Sequence, residues 1–253
     1  MSLLSLFLLF AGGVLGGVIN VMAGGAGFMT FPLLIAAGLT EMQANAANFV
    51  ALLPANLVGS AVYAKEIREV RQHLLARLFL AIIGGTLGSL IFIWLGETSF
   101  HRAIPWLLLF ATVSFAMGPT IKRWLERDTG FDTARWLWVS FLLEFLVFVY
   151  GGYFGLGMGI ILLAIHSIFS PMSVQHANAL RNITIAVMSV FSIVIFAKSG
   201  LIQWLPSLVM MAGAVLGGYA MAKLARRVPA DKVRMGILCW SILLTLFSFW
   251  RYS

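Results

Sequence analysis

Apolar runs recur along nearly the whole chain. They occupy 3–22, 28–37, 44–63, 74–95, 104–117, 136–150, 160–169, 177–197, 205–224 and 235–250. Most approach the ~20 residues a helix needs to cross a bilayer core, allowing for tilt and flanking turns. The runs 28–37 and 160–169 are too short. Each follows a glycine-rich interruption: Ala23-Gly24-Gly25-Ala26-Gly27, and the stretch Gly151-Gly152-Tyr153-Phe154-Gly155-Leu156-Gly157-Met158-Gly159. Short, Gly-interrupted segments at matching places in two halves mark the binding region of many membrane carriers. The pattern predicts an all-α polytopic membrane protein of ten segments, five per half.

The halves share ordered landmarks. Ala44-Asn45-Ala46 recurs as Ala177-Asn178-Ala179, and twenty residues on Ala64-Lys65 recurs as Ala197-Lys198. Gly84-Gly85-Thr86-Leu87-Gly88 recurs as Gly213-Ala214-Val215-Leu216-Gly217, and Gly16-Gly17 resembles Gly151-Gly152. Their common order argues for an internal duplication. We expect a first transmembrane repeat over 1–117, a cytoplasmic linker over 118–135 and a second repeat over 136–253.

Charge orients the copies. Hydrophobic residues make up 61% of the chain and charged residues only 10%, against about 25% in a soluble domain. The formal net charge of +8 lies between the apolar runs, so positive-inside loops account for it better than nucleic-acid binding. The basic sets are Lys65, Arg68, Arg71 and Arg77; Lys122, Arg123, Arg127 and Arg135; and Arg226, Arg227, Lys232 and Arg234. All three fall on one side only if each half contributes an odd number of segments. The second half is then an inverted copy of the first. Residues 1–13 lack a positive n-region and read as a retained first span. Cys239 is the single cysteine, which excludes an internal disulfide.

Candidate chemistry centres on Arg181, near the start of the run 177–197, within Asn178-Ala179-Leu180-Arg181-Asn182. An intramembrane cation is expensive and is usually retained for binding or a pathway. A guanidinium offers a planar fork of donors to two oxygens of an oxyanion. Asn178 and Asn182 flank it, and Asn45 and Asn48 fall in the equivalent stretch of the first half. Helix starts after the breaks would add backbone N–H groups and positive dipole ends. Glycines there, among them Gly24, Gly25, Gly157 and Gly159, would let a ligand approach the backbone. The expected site is a midplane anion site between the two breaks. The bland alternatives are an Arg181 that snorkels to the interface and asparagines that simply bond neighbouring helices; for Asn48 and Asn56 the latter is favoured.

Glu144 lies mid-run in 136–150, and a carboxyl that changes protonation could couple anion movement to protons. His166 and His176 are further candidates for that role. Glu144 could instead pair with Arg181. His73 and His101 read as loop residues, and Gln43 and Gln175 as caps or interface residues at helix starts. No His/Glu cluster has metal-ligand spacing, and no GxxxxGK[ST] motif appears. We expect no metal, no cofactor, no ATP hydrolysis and no enzyme activity. Gly84, Gly88, Gly213 and Gly217 form small-xxx-small stripes suited to close helix packing.

The Gly151–Gly159 stretch, the Asn178-to-Asn182 run and Gly200-Leu201-Ile202-Gln203-Trp204 together resemble the second half of the TauE/SafE sulfite-exporter family. Gly24-Gly25-Ala26-Gly27-Phe28 before Pro32, with Ala44-Asn45-Ala46, resembles that family's first repeat. The resemblance implies a multi-pass carrier of the bacterial inner membrane for a small anion such as sulfite, a sulfonate or another organic anion. The expected partners are that anion, the bilayer and a coupling proton. An anion channel and a non-transporting assembly subunit are the alternatives. The inverted arrangement predicts that a cysteine placed at Gly200 labels from outside and one at Val228 from inside. The opposite labelling pattern would overturn it.

Overall fold

The structure is a computed structural model of the full chain, and it describes residues 2–23, 25–70, 73–125, 133–169, 173–224 and 230–252. These residues form helices throughout, with no strand among them. In chain order they are α1 (Leu3–Ala23), α2 (Gly27–Ala36), α3 (Glu41–Val62), α4 (Ala64–Glu69) and α5 (Leu74–Leu125). There follow α6 (Thr133–Tyr153), α7 (Met158–Phe169), α8 (Val174–Lys198), α9 (Trp204–Leu224) and α10 (Ala230–Tyr252).

The expected segments are all present as helix. The two short runs become α2 and α7, of 10 and 12 residues. The runs 74–95 and 104–117 are two helices that meet without a loop at a kink at Gly96, whose φ of 70° is open to glycine without strain. His101, expected in a loop, is therefore helical, because the turn is confined to one residue. Helix also continues to Leu125 and restarts at Thr133, so much of the 118–135 linker is helical. The basic residues Arg71 and Arg127 and the residues Arg226, Arg227 and Val228 lie outside the described residues.

Five described stretches are long and apolar enough to cross a membrane: Leu3–Asn20, Glu41–Val62, Leu74–Met117, Gln175–Lys198 and Trp204–Met221. The 44 residues of Leu74–Met117 would measure about 66 Å as one straight helix, more than twice a ~30 Å hydrocarbon core. The bend at Gly96 turns them into two crossings. Leu75, Phe79, Trp94, Trp138, Leu243 and Trp250 lie on the outside of the bundle, where an apolar surface meets lipid. The chain is an all-α, multi-pass membrane protein.

Local signals set several helix starts. Thr40 caps α3 through a capping box with Gln43, which satisfies end groups reciprocally. Ser173 caps α8 by accepting from the His176 N–H. Without a hydrophobic drive between helices in lipid, packing rests on close backbone contact. Two glycine stripes provide it. Gly13 and Gly17 of α1 meet Met210, Ala214 and Gly218 of α9, while Gly213 and Gly217 of α9 meet Phe10 and Val14 of α1. In the other half of the bundle, Gly84 and Gly88 of α5 meet Phe145, Phe148, Val149 and Tyr153 of α6, and Gly152 meets Gly85. Thus α9 packs on α1 as the first part of α5 packs on α6. The central pair is α3 against α8.

A β-carbon at Gly88 would collide with the carbonyl oxygen of Val149 and the nitrogen of Tyr153, whereas one at Gly236 meets nothing within 4 Å. Gly88→Val should therefore cost about 1–3 kcal/mol, the usual penalty for overpacking. Gly236→Ala should leave stability unchanged or slightly raised. Thermal unfolding of the two variants in detergent measures the contrast.

Candidate functional site

The two glycine-rich breaks meet inside the bundle. A side chain on Gly27, at the start of α2, would run into Leu156 of the second break and approach Asn48 Nδ2. Two aromatic contacts reinforce the junction. Phe31 of α2 packs edge-on against Phe154, with ring centroids 5.6 Å apart, and Phe28 packs likewise on Phe115 of α5. Tyr150 donates its hydroxyl to the Leu156 carbonyl at 2.6 Å, and Trp240 of α10 donates to the Phe28 carbonyl at 3.0 Å. The first bond takes up a carbonyl freed by the break, and the second takes up the Phe28 carbonyl, whose helical partner position is Pro32 and has no N–H.

Beside the junction lies a cavity of about 80 Å³. One ordered water needs only about 15 Å³ on this scale, so there is room for several waters or one small oxyanion. The first turns of both short helices reach it, through Gly27 of α2 and through Met158 and Gly159 of α7. Its polar lining comes from Asn20 of α1, Asn48 and Asn56 of α3, and Arg181 and Ser189 of α8. Phe49, Leu52, Phe154 and Ile185 supply apolar wall.

Arg181 enters from the second turn of α8, with its stem against Gly159 and Ile185. Its Nη2 donates to Asn182 Oδ1 at 3.2 Å. Among the described residues no carboxylate forms an ion pair with it. Asn182 is buried against Gly59 of α3. Asn48 is buried, with Thr30 Oγ1 2.5 Å from its Oδ1 and its Nδ2 towards Gly27. No side-chain oxygen caps α2, whose N-cap position is Ala26. The N–H groups of Phe28, Met29 and Thr30 bond to the Gly25 and Ala26 carbonyls, so what the start of α2 brings to the cavity is chiefly its positive dipole end.

Of the other expected residues that the structure describes, only Gly157 lines the cavity. Asn45 donates to the Tyr153 carbonyl at 3.0 Å, and its Oδ1 is buried without a partner among the described residues. Asn178 is half-buried one turn before Arg181 and does not line the cavity. Gly25 packs on Phe115 and Ile237, and Gly157 lines the cavity; Gly24 lies outside the described residues. Glu144 does not meet Arg181. It accepts from Arg77 Nη1 at 2.5 Å and from Ser140 Oγ at 2.7 Å. Arg77, expected in a basic loop, is 3% exposed inside the first turn of α5. The start of α5 packs on α6, and the carboxylate compensates its charge. His166 of α7 lies 3.5 Å from Glu144 Oε2. His176 belongs to a different place: its Nε2 is 2.8 Å from Glu69 Oε2 of α4.

Asn20 and Ser189 are cavity residues that the sequence reading passed over, and Asn56, read as a packing asparagine, lines the cavity too. Ser189 follows Arg181 by eight residues, about two turns along the same face of α8, and that spacing was the available signal. Asn20 carried none beyond being polar in an apolar run.

Interrupted helices thus meet inside an apolar bundle, beside a cavity that Arg181 lines. The chain belongs to the TauE/SafE sulfite exporter family, whose model, "Sulfite exporter TauE/SafE", matches residues 9–248. It is similar to a "Probable membrane transporter protein" of Haemophilus influenzae, 26% identical over 244 residues covering 95% of this chain and 92% of that one. It is also similar to a "Probable membrane transporter protein ORF9" of Sinorhizobium sp, 24% identical over 223 residues covering 86% of this chain and 84% of that one. No solved structure matches it.

The break itself can be tested. Gly157 has a φ of 76°, and a β-carbon there would press on Ala111. Gly157→Ala should lower stability by about 1–2 kcal/mol, the cost of a left-handed L-residue. At Gly159 the added carbon sits 3.5 Å from Arg181 Cδ, an ordinary contact. Gly159→Ala should unfold at the wild-type temperature, as thermal scans of both variants would show.

Proposed function

We propose that this protein is a secondary carrier of a small anion across the bacterial cytoplasmic membrane, with the anion held against Arg181. The observation that carries the reading is the placement of Arg181. It lines the cavity beside the starts of α2 and α7, and no carboxylate among the described residues neutralises it. The guanidinium, the Asn48 amide that lines the cavity and the positive ends of two helices all favour negative charge. Sulfite, a small sulfonate or a related organic anion matches this donor set and the size of the cavity. The family supports the same range.

Alternating access would come from two halves related as inverted repeats. The corresponding packing of α1 with α9 and of α5 with α6, and the α3–α8 pair at the centre, support that relation. Edge-on phenylalanine contacts run from Phe31 through Phe154, Phe100, Phe92 and Phe196 to Phe49. In the proposed topology this array lies between the cavity and the outer face. The state is then closed outside, and the carrier loads its anion from the cytoplasm, as an exporter would.

Charge movement in proteoliposomes, challenged with sulfite, sulfate, thiosulfate, small sulfonates and carboxylates, tests the reading. Radiotracer exchange covers an electroneutral cycle. Wild type should give a saturable signal for one anion class. Arg181→Gln should weaken binding by about 1.5–3 kcal/mol, roughly tenfold to over a hundredfold in Kd, while folding normally. Retained affinity in Arg181→Gln would sink the assignment.

A further inference from the structure

A second buried polar cluster stands apart from the cavity. Glu144 of α6, Arg77 of α5 and His166 of α7 are 0%, 3% and 0% exposed. Arg77 and Ser140 both serve Glu144 Oε1, and the Arg77 guanidinium also lies over the Phe141 ring at 5.5 Å. Glu144 Oε2 is left without a hydrogen bond among the described residues, and so are both nitrogens of His166. Yet Oε2 and His166 Nε2 face each other at 3.5 Å. A structural ion pair would be expected to use all its buried acceptors, since each one left open costs about 1–3 kcal/mol. Here an acceptor and an imidazole nitrogen are held opposite each other, with Arg77 already balancing the carboxylate.

We propose that Glu144 Oε2 and His166 Nε2 form a proton-binding site whose loading is coupled, through α7, to anion movement past Arg181. The proposal rests on the anion-carrier reading above. One proton from bulk water forms an N–H bond at Nε2 and a hydrogen bond to Oε2. On release it returns to water, and no electron is transferred. The cluster is neutral when His166 is neutral and carries one positive charge when loaded.

The connection to the anion is mechanical. Glu144 and His166 sit on the two helices that the second glycine break joins, so closing the gap between them draws α7 against α6. The far end of α7 is Gly159, which lies against Arg181. Among the described residues, the charged and titratable groups facing Glu144 are Arg77 from α5 and His166 from α7. Helix α8, which also packs on α6 and α7, presents Arg181 at the opposite end of α7. The pair His176–Glu69 is held separately by α4 and α8.

The first test needs no anion. The chain has four histidines, so nitrogen-labelled histidine NMR in lipid can be assigned by single substitutions. The His166 nitrogens should report both a neutral and a charged imidazole as pH is changed, and Glu144→Gln should alter the balance between the two. A His166 locked in one state at every pH overturns the proposal. The second test uses radiolabelled sulfite in proteoliposomes. His166→Gln should keep sulfite exchange at equal pH and lose accumulation driven by a pH gradient. Unchanged gradient-driven accumulation in that variant overturns the coupling. A wild type silent to every anion of the panel would count against the carrier reading alone, and the NMR titration would still decide the proton site. If Glu144→Gln fails to fold, the NMR observation of His166 in the wild type and the transport comparison of His166→Gln remain as the two decisive measurements.

Discussion

A helix that stops inside a bilayer exposes backbone groups that lipid cannot satisfy. That constraint organises this molecule. Interrupted backbone is tolerated at membrane depth only where protein or a wet cavity surrounds it. The chain has two interruptions, and it sets them against each other, Gly27 on Leu156. Tyr150 and Trp240 take up carbonyls there, amides at both helix starts bond to carbonyls of the breaks, and a cavity lies beside the junction. The glycine stripes of α1–α9 and α5–α6 follow from the same demand. They let the enclosing helices come close enough to seal the junction from lipid.

Arg77, buried, and Arg181, half-buried beside the cavity, show what the interior does with charge. Arg77 is matched by Glu144, and the pair is enclosed. Arg181 has an amide neighbour and a cavity. A buried cation without a fixed counter-ion is stable only where something mobile, water or an anion, can solvate it. The difference between the two sites is therefore a difference in what may come and go.

Much of this arrangement was legible in the sequence. The apolar runs located the helices, and the two glycine-rich breaks located the short ones, because periodicity and glycine content are local properties. Arg181 stood out because charge within an apolar run is costly wherever the fold places it. Gln43 as a cap was also readable, since a capping box is confined to four residues. What was not readable is contact at long range. Arg77 read as one more positive loop residue, because its partner Glu144 is 67 positions away. His101 read as loop because a one-residue bend at Gly96 is invisible to a window of twenty. Asn56 read as a packing asparagine because only the α3–α8 pairing puts it in the cavity.

The packing of α1 on α9 bears on how the protein is made. About 180 residues separate the end of α1 at Ala23 from the start of α9 at Trp204. At roughly 5–20 residues per second, α9 emerges from the ribosome about 10–40 s after α1. During that interval the small-residue face of α1, with Gly13 and Gly17, has lipid or another protein in place of its partner. The first break is equally unfinished, since Trp240 of α10 comes later still. The α1–α9 contact can therefore form only after most of the chain has been made. A truncated or stalled nascent chain would leave that helix inserted but unclaimed, exposed to the quality-control proteases of the membrane.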